Sequence, residues 1–263
     1  MKYNIDEKVF NKKTIISSYW AGFIAADGCI RVRKHGQKNL VITLANKDRE
    51  HLEKFKAFLK SDKPIYNYKS RACSFEISNN KIINDLLNNF NITEKKTFTL
   101  KPPNLEGDLA LSFIIGYVDG DGCFYINKKD DQIDLSITGT EPILRFVEKN
   151  LNQLLDIDTK RKLYDKNKNE IYSVRWGKQQ CRKIINSLEN LVRQLPTLNR
   201  KWNIAFNNTK DYVVFSKSRE NYEKTIELLE QGKSVGEIKN ILGYKSDTSI
   251  RNFINKKYKW LKT

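Results

Sequence analysis

Two patterns of apolar and polar residues take turns along the chain. Stretches with apolar residues at helical spacing give way to stretches that alternate apolar and polar one by one, as strands with one buried face do. The first helical stretch ends in "WAGFIAADG" (Trp20–Gly28), and the text after it alternates as "CIRVR", crosses the polar turn "KHGQKN" and alternates again as "LVITLAN". A helix over Asp48–Lys60 follows, then strand patterns in "PIYNYKS" and "ACSFEIS", then a helix near Asn79–Asn89. The order returns after "IIGYVDGDG" (Ile114–Gly122): "CFYIN", the turn "KKDDQ", "IDLSITG", a helix over Glu141–Leu155, strands in "TKRKLYD" and "EIYSVRW", and a helix over Lys178–Val192. A single shift of 94 positions lays Gly22 on Gly116, Asp27 on Asp121, Gly28 on Gly122 and Cys29 on Cys123. A self-match at fixed shift predicts two copies of one unit. The expected class is α+β, with two pseudo-symmetric αββαββα repeats. The first spans 1–100 and the second 109–215, joined by the linker "KPPNLEGD" at 101–108. Over 216–263 the pattern changes to three short helices: Glu220–Glu230, Val235–Leu242 capped by Ser234, and Asp247–Ile254 capped by Ser246. This module resembles a helix-turn-helix, with Ser246, Thr248, Ser249, Arg251 and Asn252 on the recognition helix.

The repeated Asp-Gly poses a chemical problem. An acid at a helix C-terminus meets the partial negative charge of the carbonyls there, at a cost of about 0.3–1 kcal/mol. Here the cost is taken twice, at equivalent places. Small residues (Ala21, Gly22, Ala25, Gly116, Gly120) on the same two segments let helix backbones approach closely, and Gly28 and Gly122 offer a permissive backbone for leaving each helix.

Two such motifs in matching context resemble the single-chain LAGLIDADG homing endonucleases, over residues 15 to 207. The first copy departs from the pattern at its sixth position, Ala25, which is less critical than the acidic eighth. The resemblance implies saddle-shaped antiparallel sheets, motif helices packed side by side, and Asp27 and Asp121 meeting at the bottom of that interface. It implies a site-specific, metal-dependent double-strand DNA break by phosphodiester hydrolysis. Mg²⁺ or Mn²⁺ would be held by Asp27 and Asp121 with the backbone of Ala26 and Gly120, and Ca²⁺ would bind without supporting cleavage. Each repeat ends with two adjacent cations, Lys95-Lys96 and Arg200-Lys201. By the resemblance Lys96 and Lys201 lie beside the active site, where an ammonium polarises the attacking water or counters charge on the phosphate. These lysines are 105 positions apart rather than 94, so the second copy carries extra residues, expected in its hairpin loops.

A formal net charge of +17 over 263 residues steers the chain toward a polyanion, of which nucleic acid is the commonest, and the resemblance implies double-stranded DNA. Neither an amphipathic basic helix, a lipidation signal, a membrane-length apolar run nor a signal peptide is expected, so no membrane partner is. Cys29, Cys73, Cys123 and Cys181 form no C-x-x-C pair and read as reduced, mostly buried thiols of an intracellular, reducing compartment, whether bacterial, phage or organellar. His35 and His51, the only histidines, do not sit at ligand spacing. Period two turns Ile30, Val32, Cys73, Phe75, Ile77, Phe124, Ile126, Tyr172, Val174 and Trp176 toward the helices. It turns Arg31, Arg33, Ser74, Glu76, Tyr125, Asn127, Ser173 and Arg175 the other way, with Tyr66, Tyr68, Lys160 and Lys162 on the paired strands. These are groups that read base edges in a major groove. Lys34, Lys38, Arg71, Lys128 and Lys129 at loop tips fit phosphate contacts. The expected protein is a monomer with internal pseudo-two-fold symmetry. Two other readings stay open: a non-catalytic DNA-binding transcriptional regulator on the same fold, and an intron maturase with intron RNA as partner.

Overall fold

The computed structural model describes residues 3–68, 71–127, 132–166, 170–209, 213–244, 246–248 and 250–251, with the backbone alone at 68 and 213–219. The expected contacts at Lys128, Lys129, Ser249 and Asn252 and by the Tyr68 side chain lie outside these residues. The chain divides into two compact units, Met1–Thr209 and Lys210–Thr263, so both repeats share the first.

In the first repeat α1 (Ile15–Asp27) leads into β1 (Gly28–Val32), β2 (Lys38–Ala45), α2 (Arg49–Phe58), β3 (Tyr66–Tyr68), β4 (Ala72–Ile77) and α3 (Asn80–Phe90). In the second α4 (Gly107–Asp121) leads into β5 (Gly122–Asn127), β6 (Gln132–Thr140), α5 (Glu141–Leu155), β7 (Tyr164–Asp165), β8 (Ile171–Gly177), α6 (Lys178–Gln194) and α7 (Asn199–Asn207). The sheets run β1-β2-β4-β3 and β5-β6-β8-β7, antiparallel throughout. The register is the same in both: Cys29 lies opposite Val41 and Val41 opposite Glu76, while Cys123 lies opposite Ser136 and Ser136 opposite Arg175.

α1 starts at a capping box in which Thr14 Oγ1 accepts from Ser17 N (3.1 Å) and Ser17 Oγ accepts from Thr14 N (2.8 Å). Every residue from Ser17 to Ala25 is buried, so α1 has no solvent face. α4 is buried in the same way from Phe113 to Asp119, and the two helices pack on each other. A Cβ on Gly22 would stand 1.9 Å from the Phe113 carbonyl oxygen, and one on Gly116 would stand 1.9 Å from the Tyr19 carbonyl oxygen. The helices therefore touch backbone to backbone at two symmetric points. Amphipathic α2, α3, α5 and α6 cover the inner sheet faces, where Ile30, Leu40, Ile42, Phe75, Phe124, Leu135, Ile137, Val174 and Trp176 are buried.

Four expectations need correction. Most of the extra residues of the second copy are in its helices, since α5 has 15 residues against 10 in α2 and α6 has 17 against 11 in α3, while each hairpin gains only one: Cys29 pairs with Val41 but Cys123 with Ser136, and Tyr66 with Ser74 but Tyr164 with Ser173. Val32 and Ile126 keep inward parity but are exposed, because both strand ends outrun the core at equivalent places. Two thiols, Cys29 and Cys123, are exposed on the outward faces. Gly28 and Gly122 adopt ordinary extended backbone (φ −79° and −90°); a Cβ there would meet the Ile24 and Val118 carbonyl oxygens at 2.7 and 2.6 Å, so the requirement is room, not conformational freedom.

In the second unit α8 (Val213–Glu230) begins just ahead of the expected boundary, and α9 (Val235–Leu242) opens at Ser234 in a capping box with Glu237. Gly243 closes α9 at φ 68°, a left-handed cap that suits glycine. Thr248, Ile250 and Arg251 are helical. Ile238, Ile250 and Thr225 are buried, and Lys239 pairs with Asp247 at 3.7 Å.

Candidate active site

Asp27 and Asp121 end α1 and α4, and both are exposed where the helix ends abut. A Cβ on Gly120 would stand 2.3 Å from Ala26 Cβ and 3.4 Å from the Asp27 carboxyl. The closely packed helix ends, and next the charge of Asp121, raise the Asp27 carboxyl to about 6 against the pull of Lys201 and Lys96. Asp121 is also raised by desolvation, opposed by Lys96, by the Tyr117 hydroxyl and by Lys201.

The two lysines explain how acids are tolerated here. Lys96 Nζ donates to the carbonyls of Ala25 (2.6 Å) and Ala26 (3.2 Å). Lys201 Nζ donates to those of Asp119 (2.6 Å), Gly122 (2.7 Å), Gly120 (2.9 Å) and Val118 (3.0 Å). Each motif helix thus ends on an ammonium that satisfies its orphan carbonyls and offsets its negative pole. Burial lowers both lysine pKa values, while the acids hold them up.

Both helix ends offer hard oxygen donors, the donor set of Mg²⁺ and Mn²⁺. Among the described residues no group of three or more His, Cys, Asp and Glu forms, so the protein supplies two carboxylates rather than a full shell. The carbonyls of Ala26 and Gly120 already accept from a lysine, and each keeps a second lone pair. The donors present fit a cation whose shell is completed by water or phosphate oxygens.

The sixth motif position matters more than its sequence suggested. Asp119 is 2% exposed and fully engaged: Oδ2 accepts from the Tyr19 hydroxyl (2.7 Å) and Leu198 N (2.9 Å), Oδ1 from Trp202 Nε1 (2.9 Å). Burial raises it to about 6, with these donors pulling the other way. Arg200 holds Asp48 with two bonds, 2.6 and 2.8 Å, tying α7 to the first repeat. His51 is a core ring, driven down to about 3 by burial, with Nε2 3.2 Å from the Tyr19 hydroxyl.

The outward faces begin at the acids, since β1 and β5 start one residue after them. Arg31, Lys34, Tyr66, Arg71, Lys160 and Lys162 are exposed, and Tyr125 and Asn127 are half-buried. Arg33 is paired with Glu76 at 2.5 Å, Lys38 with Glu94 at 2.6 Å, and Arg175 with Asp134 at 2.5 Å over the Tyr125 ring. Ser74 lies 3.0 Å from the Thr43 hydroxyl. Ser173 is a correction: at 9% exposed it is buried although it keeps outward parity. Ser246, Thr248 and Arg251 are exposed on the second unit.

The raised Asp27 pKa has a stability consequence. The folded protein holds this proton more tightly than the unfolded chain, so the contribution is full below about pH 4 and lost as pH rises through about 6. Asp27→Asn removes the cost of holding a charge in the packed helix ends and, with it, the repulsion from Asp121. In metal-free protein the variant is expected to unfold at a higher urea concentration than wild type at pH 8, and at the same concentration near pH 4. An equal gain at both pH values would show that the Asp27 carboxyl is not raised in the folded protein.

Two family models match in tandem. LAGLIDADG endonuclease covers residues 20–101 and LAGLIDADG-like domain covers residues 108–199, together about two thirds of the chain. No curated protein sequence matches. Among solved structures, a double mutant of I-SmaMI superposes with a TM-score of 0.52 at 14% identity, over 87% of this chain and 99% of that one. The meganuclease I-AabMI bound to uncleaved DNA gives a TM-score of 0.47 at 17% identity, over 87% of this chain and 98% of that one. With both motifs in place, and their helices abutting as the repeat requires, the chain belongs to the LAGLIDADG endonuclease family.

Proposed function

We propose that the protein is a homing endonuclease that makes a metal-dependent double-strand break at one long DNA site. The observation that carries this reading is the pair of exposed acids on abutting helix ends, each helix end backed by a lysine. Asp27 and Asp121 would hold the divalent cation, with the Ala26 and Gly120 carbonyls within its reach. When bound, the cation lowers the pKa of a water and neutralises charge on the phosphate. Lys96 and Lys201, at the same floor, oppose the negative charge that grows on the pentacoordinate phosphorus. Arg31, Arg33 and Arg175 present guanidinium forks on the outward faces and would read guanine edges, while Lys34 and Lys38 would meet phosphates, as would Lys160 and Lys162, which precede β7 instead of lying on the strand expected for them. We place the monomer in a reducing compartment, consistent with four free thiols.

The test is incubation with a randomised DNA library in Mg²⁺, followed by sequencing of cut ends. One recurrent long site, bound but uncut in Ca²⁺, is expected. A site that is enriched by binding and never cut in Mg²⁺ or Mn²⁺ would overturn the enzymatic reading in favour of a DNA-binding regulator, and selective retention of structured RNA would favour a maturase.

The second unit would extend the footprint. A chain ending at Thr209 keeps both repeats and is expected to fold and cut, with affinity for the site about ten- to a hundredfold weaker and a shorter protected stretch of DNA. An unchanged footprint at equal affinity would reduce this unit to a structural cap.

A further inference from the structure

The two half-sites are related by the repeat but are not alike. In the second half the Asp119 carboxylate takes three donors, from Tyr19, Leu198 and Trp202. By the same shift of 94 positions, Ala25 stands in place of Asp119 and Phe113 in place of Tyr19. Thr97 follows Lys96 where Trp202 follows Lys201. All three substitutions delete members of one network, and none of the replacements restores its bonds. A cavity of about 220 Å³ opens beside the residues left behind, lined by Ala25, Lys96, Thr97, Tyr117 and Asp121 among others.

The consequence reaches the lysines. Asp119 holds the Leu198 amide just before α7 and the Trp202 indole just after Lys201, so it clamps the turn that carries Lys201 on both sides. The same turn is tied down by Lys54 Nζ on the Thr197 carbonyl at 3.1 Å and by the Arg200–Asp48 pair. Lys201 accordingly reaches four carbonyls, whereas Lys96 reaches two and borders the cavity. A cation already fixed where charge develops needs no reorganisation in the transition state, and one held by fewer partners beside a cavity has more reorganisation left to make.

Resting on the endonuclease reading above, we propose that Asp119 is a positioning residue that fixes Lys201, and that the half-site served by Lys201 cuts its DNA strand faster than the half-site served by Lys96. The strands are cut in order, and the clamp that is present in only one repeat sets that order.

The test uses the full chain, a supercoiled plasmid bearing the site selected from the library, and strand-specific end labels. Lys201→Met marks the strand that depends on Lys201. Wild type is expected to nick that strand first and to pass through an open-circle intermediate. Asp119→Ala is expected to slow that strand at least about tenfold, the scale of a small misplacement at a reacting centre, while the other strand and the binding constant hold. Trp202→Phe removes one donor but keeps an aromatic ring; it is expected to slow the same strand by less, and it carries the test if Asp119→Ala does not fold. A merely structural role would slow both strands together and lower the binding constant. Equal strand rates in wild type, or equal slowing of both strands by these variants, overturns the proposal while leaving the endonuclease reading intact. A wild-type protein that binds its site and cuts neither strand overturns the endonuclease reading, and this one with it.

Discussion

Replacing Asp27 or Asp121 with Asn is expected to abolish double-strand cleavage and to leave binding of the selected site within about threefold. Asn keeps the size and shape of the side chain and removes the charge that a divalent cation needs. The acids are exposed on abutting helix ends, and among the described residues no third acid, His or Cys joins them to stand in for either. Two ligands at one site act as a unit, so each single change should cost nearly as much as the double change. The expected loss is at least about a thousandfold, roughly 4 kcal/mol of transition-state stabilisation. Binding should survive because the outward strand faces and their arginines are untouched. The checks are a cleavage time course at saturating Mg²⁺ and a binding titration in Ca²⁺. Either variant cutting both strands at the wild-type rate would remove that acid from the metal site.

What could be read from the sequence was whatever the repeat states twice. Asp27 with Asp121, Gly22 with Gly116 and Lys96 with Lys201 recur in one context, and each is a side-chain requirement that leaves a residue-type signature. The order of helices and strands followed from periodicity, and most element bounds agree with it within a few residues. What stayed hidden was stated once or made by backbone. The Asp119 network draws on Tyr19 from one helix, Trp202 from another and the Leu198 amide, partners 79 to 100 residues away. The lysine ammoniums cap carbonyls, which every residue has, so their placement on the helix ends has no sequence mark. The surplus residues of the second copy lie mostly in α5 and α6 rather than in hairpin loops; a shift in spacing counts residues without locating them. Strand parity names the face on which Ser173 lies, but parity does not decide whether a residue on that face is exposed. Ala25 against Asp119 was visible as a departure from the repeat. Its meaning appears only when Phe113 and Thr97 are seen to depart at the same network.

Gly22→Ala and Gly116→Ala should be among the most damaging small changes in the molecule. In each the new Cβ would lie 1.9 Å from a backbone carbonyl oxygen of the opposite helix, at Phe113 for Gly22 and at Tyr19 for Gly116. Backbone cannot rotate aside as the tip of a side chain does, so α1 and α4 must separate. That separation opens the contact around which both repeats are packed, and it carries Asp27 away from Asp121 at the helix ends. The expected destabilisation is about 3 kcal/mol, the upper end for overpacking, despite the better helix propensity of Ala. Gly236→Ala is the control: it sits in α9 with nothing within 4 Å of the added Cβ, and it should be neutral or slightly stabilising, by about 0.5–1 kcal/mol. Urea unfolding reads stability, and cleavage measured well below each midpoint reads the site. Variants that remain folded should still lose most double-strand cleavage, because the helix ends that would hold the cation between Asp27 and Asp121 are pushed apart. A Gly22→Ala protein with wild-type stability and full activity would mean that the helices do not meet through their backbones, and the close approach of the two acids would lose its physical basis.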